Sequence, residues 1–311
     1  MAQFKYSLII PHYNIPDLLK RLLTTVPNRK DLQVIVVDDC SNKDTNLLDE
    51  LKKEYDWVEW YSTGTNGGGG KARNIGLSKA KGDYILFADA DDFFFPNLDD
   101  LLNKTFSQDS FDILFFNVTS LDSETFLPSN RGHHLHQMFL YAESDLDKAK
   151  LHLRYLFGEP WCKIIKRDLI EKYNIKFDET KIHNDTYFSY IVGHYAKEII
   201  LNPIAYYCLT TRDGSVSLKK NNENILIRQQ IFAKKQRFLQ DNKIELTDML
   251  FISPYLQSSH DKILRNQILG IADKYGFSEK YMQHLARKYR VSFYKKRIRK
   301  ITNKISKLFL K

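Results

Sequence analysis

Tyr84-Ile85-Leu86-Phe87-Ala88-Asp89-Ala90-Asp91-Asp92 is an apolar run that ends abruptly in three carboxylates within four positions. Like charges gathered at the end of a buried strand need something positive to neutralise them. A hard divalent cation such as Mg²⁺ or Mn²⁺, held by carboxylate oxygens and by a substrate's phosphates, meets that need. Taken alone, Asp-x-Asp also reads as an acidic turn after a strand. The segments upstream bear on the choice.

Three segments of similar character precede this one. Residues 6–10 (Tyr-Ser-Leu-Ile-Ile) read as a short buried strand closed by Pro11. Residues 33–37 (Gln-Val-Ile-Val-Val) read as a second, ending at Asp38-Asp39, and 57–61 as a third; 83–88 is then the fourth. Leu18, Leu19, Leu22 and Leu23 give a helical pattern between the first two, and Leu47, Leu48, Leu51 and Tyr55 another before the third. Val- and Ile-rich strands alternating with helices predict an α/β fold with a mostly parallel sheet covered on both faces. The polar residues fall just past the strands' C-terminal ends, where open α/β sheets bind ligands.

Beyond residue 110 the pattern changes. Asp112 to Val118 reads as another strand, Leu121 to His136 as a polar loop, and mixed pieces follow to about Thr211. From Asn222 onward the apolar spacing is helical. A boundary near 215–222 divides a domain over 1–218 from a helical region over 219–311.

The bulk composition narrows the classes. A chain of 311 residues, 43% apolar and 27% charged, has the make-up of an ordinary globular protein with a core that needs no staples. Cys40, Cys162 and Cys208 have no metal-like spacing, which argues against a disulfide framework or structural zinc and fits a reducing cytoplasm. Met1 to Lys5 run into a strand-like segment without a signal-peptide layout, and no window approaches the roughly 18 apolar residues of a membrane span. The net charge is +9, yet Arg287 to Lys311 hold eleven Lys or Arg and no acid, so the rest of the chain is slightly acidic.

Four features accompany the acidic run. Pro11-His12-Tyr13-Asn14 follows the first strand, where Tyr13 can stack on a base or sugar or simply belong to a turn. Asp38-Asp39-Cys40-Ser41-Asn42 follows the second. A carboxylate there can accept the N3–H of uracil or thymine, or the N1–H of guanine, which cytosine cannot offer; it can equally cap the next helix. Asn66-Gly67-Gly68-Gly69-Gly70-Lys71-Ala72-Arg73-Asn74-Ile75-Gly76 lacks the Gly-Lys-Ser/Thr of a P-loop and the strand-first Gly-x-Gly-x-x-Gly of a dinucleotide fold. It reads as a flexible loop feeding a helix with Lys71 and Arg73 in its first turn, either a diphosphate site or a solvated helix start. Ile182-His183-Asn184-Asp185-Thr186-Tyr187-Phe188 puts one carboxylate at the front of an aromatic-rich helical segment, as a cap or as something more.

In this order, Pro-His-Tyr-Asn, Asp-Asp-Cys-Ser, Asn-Gly…Ala-Arg-Asn-Ile-Gly-Leu, Gly-Asp-Tyr-Ile-Leu-Phe-Ala-Asp-Ala-Asp-Asp and Asn-Asp-Thr-Tyr-Phe resemble the GT-A glycosyltransferases of family 2, over about residues 4–215. The resemblance implies a Rossmann-like GT-A domain with a nucleotide-binding part over 1–115 and an acceptor part over 116–218. It implies transfer of a sugar, with inversion, from a nucleotide-diphosphate donor to a hydroxyl of a glycan or lipid-linked acceptor in surface-polysaccharide assembly. Pro11, Tyr13, Asn14 and Asp39 then match the base-binding set, and Lys71, Arg73, Asn74 and Ala90 line the nucleotide. Asp91 matches the Mn²⁺ or Mg²⁺ ligand, with Asp92 beside it, and Asp89 matches the residue holding the ribose or donor sugar or sharing the metal. Asp185 matches the catalytic base, which a Glu usually precedes; here Asn184 stands in that place. More weakly, Glu159-Pro160-Trp161-Cys162-Lys163 resembles an acceptor-side Trp-x-Lys segment, giving Trp161 and Lys163. Arg212-Asp213-Gly214-Ser215-Val216-Ser217 resembles a loop closing over the diphosphate, giving Arg212.

Two other classes remain open at this point. A sugar-1-phosphate nucleotidyltransferase resembles this fold but carries a Gly-rich basic loop directly after its first strand, where this chain has Pro11-His12-Tyr13-Asn14. A non-catalytic module binding nucleotide sugars or lipid carriers would not need Asp39, Asp91 and Asp185 intact. In the tail, Tyr294, Ile298, Ile301, Ile305 and Leu308 lie three or four apart among Lys and Arg. As a helix, 287–311 is a basic amphipathic stripe that suits the anionic inner face of the cell membrane or an oligomer contact. Nucleic acid is not expected as a partner, because the first 220 residues show no basic face or aromatic platform.

Overall fold

β1 (Tyr6–His12) and β2 (Leu32–Asp38) are buried along nearly their whole length, as strands covered on both faces must be. The computed structural model describes residues 4–106, 111–212, 221–246 and 249–289. By its contacts the chain divides into two units, Met1–Leu218 and Lys219–Lys311.

In the first unit β1 pairs in parallel with β2 on one side and with β4 (Tyr84–Phe87) on the other, while β2 pairs in parallel with β3 (Glu59–Ser62). Helices α1 (Pro16–Leu23), α2 (Thr45–Glu54) and α3 (Gly68–Lys79) make the crossovers, and α3 packs on β1, β2 and β3. After β3 the chain returns past β2 and β1 to add β4. The switch point therefore falls between the C-terminal ends of β1 and β4. Beyond β4 the sheet becomes mixed. β5 (Phe93–Phe94), β6 (Ile113–Asp122), β7 (Lys163–Lys166) and β8 (Ile199–Thr211) complete the eight-stranded order β3-β2-β1-β4-β7-β6-β8-β5. Helices α4 (Leu98–Phe106), α5 (His133–Ala142), α6 (Leu146–Tyr155), α7 (Arg167–Lys172) and α8 (Thr186–Tyr195) lie among them.

Three local expectations change. β1 does not close at Pro11 but runs to His12, because β4 pairs with it only as far as Ile9 and Phe87; beyond that point Pro11 meets only β2, and its missing N–H costs no ladder bond. β6 extends to Asp122 because β8 stays parallel to it up to the pair Asp122 and Thr211, through a register shift around Asn117. The expected loop over 121–136 contracts accordingly, bridged at Leu121 and Pro128 and ended by α5. Arg73 lies in the second turn of α3 rather than its first, since the helix starts at Gly68.

The second unit is helical where described. α9 (Asn222–Asp241), α10 (Met249–Gln257) and α11 (Lys262–Lys274) precede a further helical stretch over 279–289. Asn221 caps α9 by accepting from Asn224 N at 2.8 Å, and Asp261 caps α11 by accepting from Leu264 N at 2.9 Å. Their core holds Phe232, Phe251, Ile252, Ile268, Phe277 and Met282. Most of the basic segment 287–311, from Arg290 on, lies outside the described residues.

One close approach joins α3 to the chain leading into α8. A Cβ on Gly70 would stand 2.1 Å from Asp178 O and 3.0 Å from the Asn184 Cβ. Gly70→Ala is expected to lower stability by about 1–3 kcal/mol through this overpacking. Urea denaturation reads it as a lower midpoint at unchanged slope.

Candidate active site

The three carboxylates at the end of β4 converge: an oxygen from each of Asp89, Asp91 and Asp92 lies within 4.8 Å of the others. Each also faces its own arginine from a different element. Arg73 of α3 donates to Asp89 Oδ1 at 2.6 Å, Arg212 after β8 donates to Asp91 Oδ2 at 3.0 Å, and Arg131 before α5 stands 3.7 Å from Asp92 Oδ1. A fourth arginine, Arg21 of α1, donates to the Asp91 carbonyl at 2.5 Å, and Thr210 Oγ1 donates to the same oxygen.

The three are not equivalent. Asp92 is 0% exposed; its Oδ1 accepts from Thr210 N at 2.7 Å and its Oδ2 from the Tyr207 hydroxyl at 3.0 Å. Burial pushes its pKa well up, against the pull of Arg131 and with the push of Asp91 and Asp89. Tyr207 in turn accepts from Asp89 N at 2.8 Å, so one hydroxyl ties both ends of the acidic run to β8. Asp92 is therefore an anchor with both oxygens occupied. Asp89 and Asp91 each keep one oxygen without a protein donor among the described residues. Two part-exposed carboxylates with one open oxygen each suit a hard cation that takes its remaining ligands from water and phosphate. Such an ion fits Asp89 and Asp91, and Asp92 only from behind.

Arg73 connects this cluster to Asp185. Its Nη1 donates to Asn184 Oδ1 at 2.9 Å, and its guanidinium carbon lies 5.5 Å from the centre of the Phe177 ring. Phe177 stacks on Phe188 of α8 at 4.0 Å, and Phe87 of β4 meets both edge-on. Asn74 holds Phe177 by the backbone, receiving its N–H at 2.9 Å and donating to its carbonyl at 3.0 Å. These contacts fix the start of α8 against the end of β4. Asp185 occupies the N-cap place of α8, yet its side chain makes no capping bond. Burial raises its pKa to about 6, with Arg73 lowering it and Glu159 and Asp89 raising it. Asp185 is thus a carboxylate held near the protonation range useful to a general base.

The remaining expected residues divide into rim and support. Tyr13 is 44% exposed at the end of β1 and offers an open ring face. Pro11 lies just before it in β1, and Ala90 is buried between two of the acids. Asn14 stitches the β1 and β2 ends together, its Oδ1 accepting from Asn42 N at 2.8 Å and Lys43 N at 3.0 Å. Asp39 does not cap α2. Its carboxylate accepts from Thr63 Oγ1, Gly67 N and Gly68 N at 2.7–2.9 Å, so it anchors the start of α3 and keeps about one of its four acceptor sites. Lys71 donates to Thr65 Oγ1 at 2.7 Å and does not reach the acidic cluster. Trp161 and Lys163 are buried, at 5% and 2% exposure, with Trp161 stacked on Tyr207. They support the site from within rather than lining an acceptor surface. Residues 213–217 of the expected closing loop lie outside the described residues.

Arg131, Tyr207 and Thr210 carry no motif and escape sequence reasoning, while Glu159 stands in the Trp-x-Lys segment without a role read for it. The signal for Arg131, Tyr207 and Thr210 is a partner in the acidic run 39 to 119 positions away that only the fold brings near.

Comparison with known proteins follows the same lines. A family model described as glycosyl transferase family 2 matches residues 7–173. A poly(ribitol-phosphate) beta-glucosyltransferase of Bacillus spizizenii is 30% identical over 220 residues, 68% of this chain and 33% of that one. The poly(ribitol-phosphate) beta-N-acetylglucosaminyltransferase TarS of Staphylococcus aureus is 27% identical over 219 residues, 68% of this chain and 36% of that one. The chain thus spans about a third of the length of these curated relatives. The crystal structure of TarS 1–349 in complex with UDP-GlcNAc superposes with a TM-score of 0.63 at 19% identity, covering 88% of this chain and 80% of that one. The mannosyltransferase PcManGT of Pyrobaculum calidifontis, in complex with GDP-Man and Mn²⁺, gives a TM-score of 0.54 at 15% identity, covering 95% and 82%. The fold is GT-A.

Removing the Asp92 side chain tests its anchoring role. Asp92→Ala leaves Thr210 N–H and the Tyr207 hydroxyl unpaired and is expected to cost about 2–4 kcal/mol, whereas Asp92→Asn retains an acceptor and costs about 1 or less. Chemical denaturation of both variants reads the difference.

Proposed function

Because the chain belongs to glycosyl transferase family 2, we propose that it moves a sugar from a nucleotide-diphosphate donor to a hydroxyl of a cell-surface polymer, with inversion at the anomeric carbon. One observation carries this reading: an uncapped carboxylate, Asp185, is fixed through Arg73 beside a pair of open-sided carboxylates, Asp89 and Asp91. A single displacement needs a base on one side of the anomeric carbon and charge neutralisation on the other.

The nucleotide would lie across the ends of β1 and β2, with Tyr13 against the base and the last acceptor site of Asp39 toward a uracil N3–H. UDP-GlcNAc and UDP in the TarS complexes support a uridine donor. Asp91 and Asp89 would hold a divalent cation, which would supply Lewis-acid stabilisation of the departing diphosphate. Mn²⁺ in the PcManGT structure supports that metal class. Arg212, which donates to Asp91 Oδ2, adds a positive charge on the diphosphate side of the site. Arg73 keeps Asp89 oriented toward the donor's sugars.

On the opposite side Asp185 takes the proton of the acceptor hydroxyl. The acceptor oxygen forms its bond to the anomeric carbon while the bond from that carbon to the diphosphate oxygen breaks, and its electron pair leaves with the nucleotide. Positioned bases contribute about 10²–10⁴-fold to such steps. Poly(ribitol-phosphate) in the relatives' names supports a hydroxyl-rich polymer as acceptor. A lipid-linked acceptor accords with the basic stripe over 287–311, which we place at the inner membrane surface. Among the described residues no helix is long and apolar enough to cross a membrane.

Asp185→Asn is expected to retain UDP affinity and to lose transfer and UDP-sugar hydrolysis by at least about 10²-fold; a fully active variant would move the base elsewhere. Since the base works only when deprotonated and its pKa is raised to about 6, kcat/KM should climb tenfold per pH unit up to about 6 and level off above it. Removal of residues 291–311 should release the protein from anionic liposomes without loss of UDP binding; continued co-sedimentation would refute the anchor.

A further inference from the structure

Glu159 acts on Asp185, and its side chain has no partner among the described residues. Its main chain, by contrast, is firmly held. Lys163, itself 2% exposed, donates its ammonium to the Phe157 carbonyl at 3.3 Å and to the Glu159 carbonyl, above the Phe157 ring. A buried ammonium is stable only when its donors are satisfied, so these carbonyls fix the turn as much as the turn fixes Lys163. The same turn rests on the first residue of α8. A Cβ on Gly158 would lie 3.3 Å from Thr186 Oγ1 and 3.6 Å from Thr186 Cα. Gly158 precedes Glu159 and Thr186 follows Asp185, so the two carboxylates come from abutting stretches of backbone.

We propose that Glu159 is the positioning residue of this base: a second carboxylate that takes a hydrogen bond from the acceptor next to the attacking oxygen and so turns the attacking O–H toward Asp185. The inference rests on Asp185 being the base. The attacking hydroxyl has one hydrogen, and it goes to Asp185; Glu159 accepts a hydrogen bond but no proton and stays a carboxylate throughout. The acceptor must therefore offer a second hydroxyl beside the nucleophile, as a sugar ring or a polyol chain does. A water molecule meets the same demand with its second hydrogen. The charged groups that act on Asp185 are Arg73 from α3, Glu159 from the turn before β7, and Asp89 from the end of β4. Of these, Glu159 and Asp89 favour the protonated acid and Arg73 the carboxylate, so loss of Glu159's charge lets Asp185 ionise at lower pH.

The test begins without any substrate. The carboxyl ¹³C resonance of Asp185, assigned by its absence in Asp185→Asn, is titrated in the whole protein, in Glu159→Gln and in Glu159→Asp. The midpoint should fall in Glu159→Gln by on the order of half a pH unit, as loss of a nearby like charge requires, and return in Glu159→Asp. With Mn²⁺ and UDP-GlcNAc as the probe, the hydrolysis kcat should fall about tenfold in Glu159→Gln, the worth of one hydrogen bond to a charged group, and recover in part in Glu159→Asp. UDP affinity by calorimetry should be equal in all three, which separates the effect from a loss of folding. An Asp185 midpoint or a hydrolysis rate that stays unchanged in Glu159→Gln, with UDP affinity intact, overturns the proposal. Failure of the unaltered protein to bind UDP would instead count against the nucleotide-sugar reading, while the titration still decides whether Glu159 acts on Asp185.

Discussion

Three carboxylates forced together at the end of one strand are the constraint from which the candidate site is built. Burial and the two neighbouring carboxylates push the pKa of Asp92 well above the ordinary carboxylate value. The fold answers with one arginine per carboxylate, drawn from α3, from the segment before α5 and from the end of β8. Each pairing pulls a distant element to the same edge of the sheet. Tyr207 and Thr210 complete the arrangement by taking Asp92 out of play as a ligand. What remains is a pair of carboxylates, each neutralised on one oxygen and open on the other.

Arg73 carries the greatest share of this organisation. It is nearly buried, it pairs with Asp89, and through Asn184 it holds the chain that presents Asp185. Truncating one partner of such a pair leaves a charge with little solvent, a loss larger than the bond itself is worth. Asn184 being neutral, Arg73 has a single ionic partner among the described residues, and the negative potential around Asp185 comes from Asp89 and Glu159 instead. The aromatic trio of Phe87, Phe177 and Phe188 makes the same junction rigid, so Asp185 and the acidic run cannot drift apart independently.

Much of the first unit was legible in the sequence because parallel strands buried on both faces leave continuous Val and Ile runs, and their ligand-facing ends carry abrupt polar residues. The acidic run after β4, the glycine-rich approach to α3 and the lone Asp185 before α8 all announce themselves locally. Other features depend on pairings that sequence spacing does not encode. Asp92 meets Thr210 across 118 positions, and Asp39 reaches the N–H groups of Gly67 and Gly68 rather than its own next helix. Lys163 reads as an acceptor-side residue but lies buried under a turn, where two carbonyls accept from its ammonium. Pro11 reads as a strand terminator but is tolerated where β4 stops short.

The central claim is that Asp91 and Asp89 hold a divalent cation against the diphosphate of a uridine nucleotide. Calorimetric titration of UDP into the protein with Mn²⁺, with EDTA, and with Mn²⁺ and Asp91→Asn tests it most directly. The account predicts tight binding that requires both the ion and Asp91. Equal affinity in all three titrations, or no binding in any, would contradict it.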